Sequence, residues 1–476
     1  MTPDASASER AYDARSPSMA LRWTGGLGLA AFFTWRLASA NYNGPHVDES
    51  LYYSLREAGV GNVDWLSGNA YVWPSLAHLA HAAGGLFGAR ALTALLITVS
   101  AVLTARIVMN LGGWLGWRSS VHGAAFAAAM AFCLASPTTV ISSLATYDAL
   151  AAFFYVAGLE RLVTTIRSPG PWAGGAAAAF LALAAITRYF YLPLSGGTVL
   201  FGLVMAILSE EGRARRVLFA GVLPVLTTAS ATWLSWTHIV GVQAHLSNSV
   251  FNCCRATSEQ ILRDAALLVP VAGAAGALSL LLLLPALLKP RAGSRSSMSS
   301  AQRLLLLQFL GAGMAAPLAL HLVGGHSAAE GRTLAVTAFF GSLAIGLALA
   351  AGLSAIEAPR RRLLLVVAGA SLLILASVFT NVRVVDLGLR TMDAKVQATG
   401  TWLDARPAAT AAVARAAELP PAITPGVLVL SADLNVWELR RGWAPGSTPM
   451  RRTTRPRGSR SCAKPPASGS RSSLVS

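Results

Sequence analysis

The sequence predicts an all-α, polytopic membrane protein with about 11 transmembrane helices. The first reason is composition. Of the 476 residues, 54% are hydrophobic and only 12% are charged, and mean hydropathy is +0.54. Ordinary soluble domains carry about 25% charged residues, so this composition excludes them. The second reason is that apolar runs long enough to cross a bilayer recur along most of the chain.

The predicted spans alternate with polar connections. They lie near 23–40, 88–108, 120–137, 147–166, 172–187, 190–208, 217–239, 265–288, 304–323, 333–355 and 363–380. The fifth run is short and the join at 187–190 is tight. A total of about ten or twelve spans is therefore an alternative, and each boundary is good to several residues.

The distribution of charge predicts the orientation. Basic residues concentrate in every second connection, whereas the candidate acids lie in the others. By the positive-inside rule, the N-terminal tail 1–22 is cytoplasmic, and the acidic connections and the C-terminus face the outside of a plasma or inner membrane. The net charge of +17 comes from short loops and the C-terminal tail, so we expect no nucleic-acid partner.

Polar segments surround the transmembrane domain, 23–380. In the first external connection, 50–58 and 74–86 are predicted to be amphipathic helices that lie in the interface plane. Residues 381–443 are predicted to form a small extracytoplasmic α/β segment with a buried strand at 426–431. The tail 444–476 is basic, rich in Ser, Pro and Gly, and predicted to be disordered.

The stretch from Pro45 to Tyr53 contains the most informative motif. Asp48 and Glu49 are adjacent carboxylates a few residues beyond the first apolar run. Acids are costly near hydrocarbon, and a carboxylate at the membrane surface can act as a general base. Tyr52 follows Asp48 by one helical turn. The alternative is that both acids simply favour the start of a helix.

Two further motifs flank later spans on the same predicted side. Asp148 opens the span at 147–166, where it is either a functional acid or a helix cap. Arg188 stands between two apolar runs, where it either extends toward the headgroups or provides a cation for a lipid phosphate.

The connection after the ninth predicted span is the fourth motif. It holds glycines together with His326, Glu330 and Arg332. Loops of this kind often bind anions through backbone amides and a cation, although a tight turn with a surface ion pair is the alternative. Arg36, inside the first span, is expected either to extend outward or to pair with an acid such as Asp48 or Glu49.

Other chemistries lack support in the sequence. No Walker loop, GxSxG, HExxH or dinucleotide fingerprint occurs, so cytoplasmic nucleotide chemistry is not indicated. The four cysteines do not have the spacing of a zinc site.

These motifs together resemble the GT-C glycosyltransferases that use lipid-linked sugars. The pattern over about residues 20–355 is nearest to the protein O-mannosyltransferases and the lipid A aminoarabinose transferases. It comprises Asp48-Glu49-x-x-Tyr52, the later Trp-Pro, the sequence TYDAL at 146–150 and the sequence TRYFYLPL at 187–194. The chain departs from the pattern in having Arg188 where relatives commonly carry Lys, and in its short C-terminal segment.

The resemblance implies an inverting transfer of a sugar from a polyprenyl phosphate to an acceptor hydroxyl of a glycolipid, protein or polysaccharide. Asp48 is expected to be the general base. Glu49 and Asp148 are expected to orient the acceptor or to hold a divalent cation, the one cofactor that these acids suit.

The resemblance also implies a site for the donor phosphate. Arg188, Arg332 and His326 are expected to neutralise the phosphate as it leaves, whereas Tyr52 and Glu330 are expected to contact the sugar or the acceptor. A secondary transporter, a non-catalytic membrane scaffold and a polymerase of lipid-linked glycans are the competing interpretations. A transporter should carry more charges at mid-depth and an internal repeat.

Overall fold

The protein is an α-helical membrane protein. The computed structural model describes residues 19–40, 49, 72–117, 121–236, 257–259, 261–262, 273–288, 297–324, 332–354 and 356. This part of the chain is helical and contains no strand. Several of its helices are long and apolar enough to cross a membrane.

Eleven helices are named here in chain order. They are α1 (Met19–Ser39), α2 (Val72–Trp114), α3 (Val121–Leu134), α4 (Ser136–Ser143), α5 (Tyr147–Arg167), α6 (Pro171–Thr187), α7 (Tyr191–Ile207), α8 (Arg213–Leu234), α9 (Ala275–Leu288), α10 (Ser300–Gly324) and α11 (Ala335–Ser354), with a 3₁₀ turn at Arg332–Leu334 before α11.

Each predicted span up to 333–355 coincides with one of these helices or with the α3–α4 pair. Among the described residues, five helices meet both the length and the apolarity expected of a span, namely α2, α5, α8, α10 and α11 with its 3₁₀ turn. The bent α3–α4 pair raises the number to six. The helices α6, α7 and α9 are apolar but shorter. The total of eleven therefore stays a prediction, and the span at 363–380 lies outside the described residues.

Helix α2 consists of two helical segments separated by a break. The break falls near the boundary between the predicted interface helix at 74–86 and the predicted span at 88–108, and the second segment continues to Trp114. The helix breaks at Gly84 and Gly85, and Gly85 has a φ of 62°. Glycine favours this left-handed conformation because it has no Cβ, so the break between the two predicted segments falls where the sequence allows it.

The predicted span at 120–137 covers α3 and the first residues of α4, and the two helices form a bent pair. The axes of α3 and α4 differ by 62°. Ala135 between them is extended, and a proline occupies the first turn of α4. Proline lacks the amide that a continuous helix needs, which explains the bend. All eight residues of α4 are buried, and most are polar or small.

The centre of the bundle is formed by α2, α3, α5 and α11. Helix α5 packs on α2 and α6, and α11 packs on α3, α9 and α10. In the interior, the Tyr155 ring lies 6.1 Å from the Phe339 ring and 6.2 Å from the Phe340 ring. The Tyr155 hydroxyl forms a 2.8 Å hydrogen bond with Thr198. These contacts give α5 a fixed position, and α5 carries the candidate site.

Close helix contacts depend on small residues. A Cβ on Gly346 of α11 would lie 2.7 Å from the Cβ of Ala128 on α3. A Cβ on Gly158 of α5 would lie 2.8 Å from the Leu181 side chain on α6. Interhelical packing through small residues is typical of membrane bundles, where lipid supplies no hydrophobic force between helices.

Several predicted features lie outside the described residues. They are most of the N-terminal tail 1–22, the interface helix at 50–58, the segment 381–443 and the tail 444–476. The described chain begins at residue 19, within α1, so the first helix starts somewhat before the predicted position 23.

Candidate functional site

Asp148 is held at the start of α5. Leu144 and Thr146 are extended, and the helix begins at Tyr147. The Thr146 hydroxyl donates a 2.8 Å hydrogen bond to Asp148 Oδ2. Asp148 is 1% exposed. An acid in the first turn interacts favourably with the helix dipole, but so deeply buried a carboxylate also needs cationic partners.

Two arginines supply those partners. Arg188 ends α6 in an extended conformation and forms an ion pair with Asp148 Oδ1. Arg332 begins the 3₁₀ turn before α11, and its Nη1 lies 3.4 Å from Asp148 Oδ2. The two arginine side chains are 13% and 14% exposed. Among the described residues, one carboxylate therefore meets two guanidinium groups here.

Aromatic and polar neighbours fix both arginines. The Arg188 guanidinium lies 5.2 Å from the centre of the Tyr147 ring and 5.8 Å from that of Phe190. His321, near the end of α10, forms a hydrogen bond with Thr333, the residue after Arg332. The ends of α5, α6, α10 and α11 therefore meet at this cluster.

Glu49 forms a second ion pair close to the first. Its carboxylate accepts hydrogen bonds of 2.8 Å and 2.7 Å from Nε and Nη2 of Arg90. The same carboxylate accepts a 2.6 Å hydrogen bond from the backbone amide of Ala145. Glu49 and Arg90 are 4% and 2% exposed. The pair therefore contacts Ala145, which lies in the short segment 144–146 between α4 and α5, just before Asp148.

Arg36 also lies in this region. It is 4% exposed, donates a hydrogen bond to Ser143 and lies 4.6 Å from the Trp35 ring. The expectation that it extends outward from the helix is wrong. The other expectation, that it pairs with an acid, remains a prediction as far as Asp48 is concerned, because Asp48 lies outside the described residues.

A different set of charges occupies the opposite end of α5. Glu160 is fully buried and forms 3.1 Å ion pairs with Arg106 of α2 and with Arg161. Arg106 lies within α2, which continues past it to Trp114. About 20 Å of helix separates Glu160 from the start of α5, so the two ion clusters lie at different depths.

The structure brings together three of the predicted site residues, Asp148, Arg188 and Arg332, in one cluster. Glu49 is linked to that cluster through its hydrogen bond with the backbone amide of Ala145, three residues before Asp148. The predicted residues that lie outside the described part of the chain are Asp48, Tyr52, His326 and Glu330.

Two buried charges were not recognised in the sequence, Arg90 and Glu160. Each stands inside or at the edge of an apolar run, and an isolated charge there is a signal of an intramembrane partner. Neither partner could be identified from spacing, because Glu49 precedes Arg90 by 41 residues and Arg106 precedes Glu160 by more.

The described residues show no ready-made metal centre. No group of three or more His, Cys, Asp or Glu among them is arranged to hold an ion. The Glu49 carboxylate is hydrogen-bonded to Arg90 and Ala145, and the Asp148 carboxylate is bound by two arginines. Cationic partners of this kind compete with a metal ion for the same oxygens.

The Asp148 cluster is suited to binding an anion. Arginine presents several donors in a plane and matches the geometry of carboxylates and phosphates. Here two arginines share one carboxylate and keep some exposure to the surroundings. No protein-family model, no curated protein and no solved structure matches the chain.

Proposed function

We propose that the protein is a membrane glycosyltransferase of the GT-C type. It would move a sugar from a polyprenyl-phosphate donor to an acceptor hydroxyl at the extracytoplasmic face, with inversion at the anomeric carbon. The single observation that carries the proposal is the convergence of Arg188 and Arg332 on Asp148 at one end of an apolar helix bundle. A lipid-linked phosphate presents its charge at such a position and keeps its chain in the hydrocarbon.

The two guanidinium groups of this cluster support a phosphate ligand. In the absence of an anion, Asp148 holds the two guanidinium groups near one another. A bound phosphodiester would supply further oxygens to both arginines, and the charge that develops on the departing phosphate would strengthen these interactions in the transition state. His326 would add a donor from the neighbouring connection.

The contacts favour positioning roles for two acids. Because Arg90 and Ala145 bind the Glu49 carboxylate, and because two arginines bind that of Asp148, neither is free to take a proton from an acceptor. Asp48 is therefore the proposed general base. Tyr52 and Glu330 are proposed to contact the sugar or the acceptor, and a divalent cation would need oxygens from these or other residues.

Charge distribution supports the proposed orientation in a plasma or inner membrane. The arginines near the Glu160 end include Arg106, Arg161, Arg167 and Arg216. The positive-inside rule then gives this end to the cytoplasm and the Asp148 end to the outside. Polyprenyl-phosphate sugars used at the outer face reach the site from within the bilayer.

A secondary transporter is the alternative, and the buried charges in α2 and α5 bear on it. Transporters commonly place such groups near the bilayer centre. Arg90 lies five residues beyond the break in α2, and Glu160 lies seven residues before the end of α5. Both are paired with an opposite charge. This placement near helix ends favours a structural role over a central transport site.

Sugar transfer by the purified protein tests the proposal. The full chain in detergent is mixed with polyprenyl phosphates that carry radiolabelled hexoses or pentoses, and product is measured with envelope extracts and with water as acceptors. We expect turnover of at least one donor, and a loss of about 10²–10⁴-fold in Asp48→Asn. Asp64→Asn, in the same connection, is the matched control and should keep its activity.

Two results would overturn the proposal. One is the absence of wild-type turnover with every lipid-linked sugar in the panel. The other is normal turnover of a folded Asp48→Asn protein. Mass spectrometry of lipid that co-purifies with the chain gives the sugar and the prenyl length when a donor is bound.

A further inference from the structure

We propose that Arg90 is a positioning residue that holds the two halves of the candidate site together. The inference rests on the proposed function, because one half contains the proposed base Asp48 and the other contains the proposed phosphate site. Nothing in the sequence had marked Arg90, which stands in an apolar stretch of α2.

Arg90 ties two separate segments of the chain to α2. Its Nη1 donates a 2.5 Å hydrogen bond to the carbonyl of Ala40, just after α1 ends. Its Nε and Nη2 bind both oxygens of Glu49. This is the planar, two-point recognition that arginine provides and lysine does not. Asp48, the proposed base, immediately precedes Glu49 in the sequence.

Glu49 is linked to the second half of the site, Asp148 with Arg188 and Arg332, through the backbone of Ala145. Glu49 accepts from the amide of Ala145, and the indole of Trp73 donates a 3.1 Å hydrogen bond to the carbonyl of Ala145. Both polar groups of this residue are therefore bound by residues from the first half of the chain. Asp148 follows three positions later and binds the two arginines, so Arg90 acts on them through Glu49 and the Ala145 connection.

The chain supplies a matched control. Arg106 lies on the same helix as Arg90 and forms an ion pair with Glu160, a fully buried acid. Glu160 belongs to α5, the helix that carries Asp148. The Arg106 pair therefore joins α2 to α5 as well, but at the end far from Asp148. Arg106 is 46% exposed, whereas Arg90 is 2% exposed.

Hydrogen exchange of the intact protein tests the inference without requiring a known substrate. Arg90→Gln, Arg90→Lys and Arg106→Gln are compared with the wild type by mass spectrometry of peptides that cover 144–148 and 155–167. In both Arg90 variants we expect exchange at 144–148 to become faster by about tenfold or more. The reason is that Glu49, the charged acceptor of the Ala145 amide, loses its two-point contact with the Arg90 guanidinium. Exchange at 155–167 should stay unchanged.

The control and the activity assay separate a local effect from a general one. Arg106→Gln should leave exchange at 144–148 at the wild-type rate. With the labelled donor, Arg90→Lys should lower kcat by about tenfold or more at saturating donor, and Arg106→Gln should not. If Arg90→Gln fails to fold, the comparison rests on Arg90→Lys.

The possible outcomes distinguish the two proposals. Unchanged exchange at 144–148 in Arg90→Lys overturns the positioning role, as does an equal rise in both peptides, which would indicate general loosening. If exchange becomes faster only at 144–148 and the wild type transfers no sugar, the linkage through Arg90 stands. The proposed function, and with it the role of Arg90 in catalysis, is then overturned.

Discussion

Asp148→Asn is the substitution that most sharply probes the arginine cluster. The side chain keeps its shape and can still bond with the Thr146 hydroxyl, but the charge that holds Arg188 and Arg332 together is lost. Removal of one partner from a buried ion pair costs about 3–5 kcal/mol. Because both arginines retain 13–14% exposure, we expect the lower end, about 3 kcal/mol.

The stability cost should be visible in thermal unfolding. In a chain of this size, about 3 kcal/mol corresponds to a fall in the apparent Tm of about 3 °C. Intrinsic tryptophan fluorescence of the detergent-solubilised protein reports the transition. Ser142→Ala changes a buried residue of α4 without removing a charge, and it serves as the control for a general effect of substitution in this region.

The response to ligand tests the reasoning further. Without the Asp148 charge, a phosphate faces the two arginines and no longer competes with the Asp148 carboxylate. Removal of a negative charge about 5 Å from a phosphate is worth about 3 kcal/mol at an effective dielectric constant of 20. Prenyl phosphate should therefore raise the Tm of Asp148→Asn by more than it raises that of the wild type, and it should raise that of Arg188→Gln by less.

Two results would refute this account of the cluster. An Asp148→Asn protein that unfolds with the wild-type Tm would show that the ion pairs contribute nothing. An equal response to prenyl phosphate in the wild type and in Arg188→Gln would show that the arginine does not bind the phosphate.

Two further predictions concern the packing of the bundle. Gly346→Ala should lower the Tm, because the new Cβ would lie 2.7 Å from that of Ala128, and overpacking costs about 1–3 kcal/mol. Gly352→Ala, on the same helix, should keep or raise the Tm, because no described atom lies within 4 Å of the added Cβ. A lower Tm for Gly352→Ala than for Gly346→Ala would contradict the packing of α3 on α11. Cys133 is buried and not in a disulfide, so peptide mass spectrometry should find it unmodified by maleimide in the folded protein and modified after unfolding; labelling of the folded protein would contradict its burial.

The sequence was a good guide wherever a feature is local. Hydrophobic runs predicted the positions of the described helices other than α4, since each of those runs is long and strongly apolar. It also marked Asp148, Arg188 and Arg332, because a charge at the edge of an apolar run is conspicuous. The number of spans was less secure, since α6 and α7, with 17 residues each, are at the lower limit for crossing a bilayer.

Features that depend on distant contacts were not accessible from the sequence. The pairing of Arg90 with Glu49 joins residues 41 positions apart, and Arg332 meets Asp148 across 184 positions. Spacing within a helix carries no information on such contacts. The bend between α3 and α4 lies at the end of the predicted span 120–137, next to Pro137, and α4 itself was not predicted.

The contacts also change the roles that the sequence suggested. From the sequence, Asp48 is expected to be the general base, and Glu49 is expected to orient the acceptor or to hold a divalent cation. In the structure, the Glu49 carboxylate accepts hydrogen bonds from the buried Arg90 guanidinium and from a backbone amide. Such contacts are typical of an acid that positions neighbouring residues. A base must reach its substrate, and this requirement separates the proposed tasks of the two residues.

The most direct test of the central claim is a cryo-electron microscopy structure of the protein with a bound polyprenyl-phosphate sugar. The account predicts density for the phosphate within hydrogen-bonding distance of the Arg188 and Arg332 guanidinium groups, with the prenyl chain on the lipid-facing side. Phosphate density away from both arginines, with their ion pairs to Asp148 intact, would contradict it.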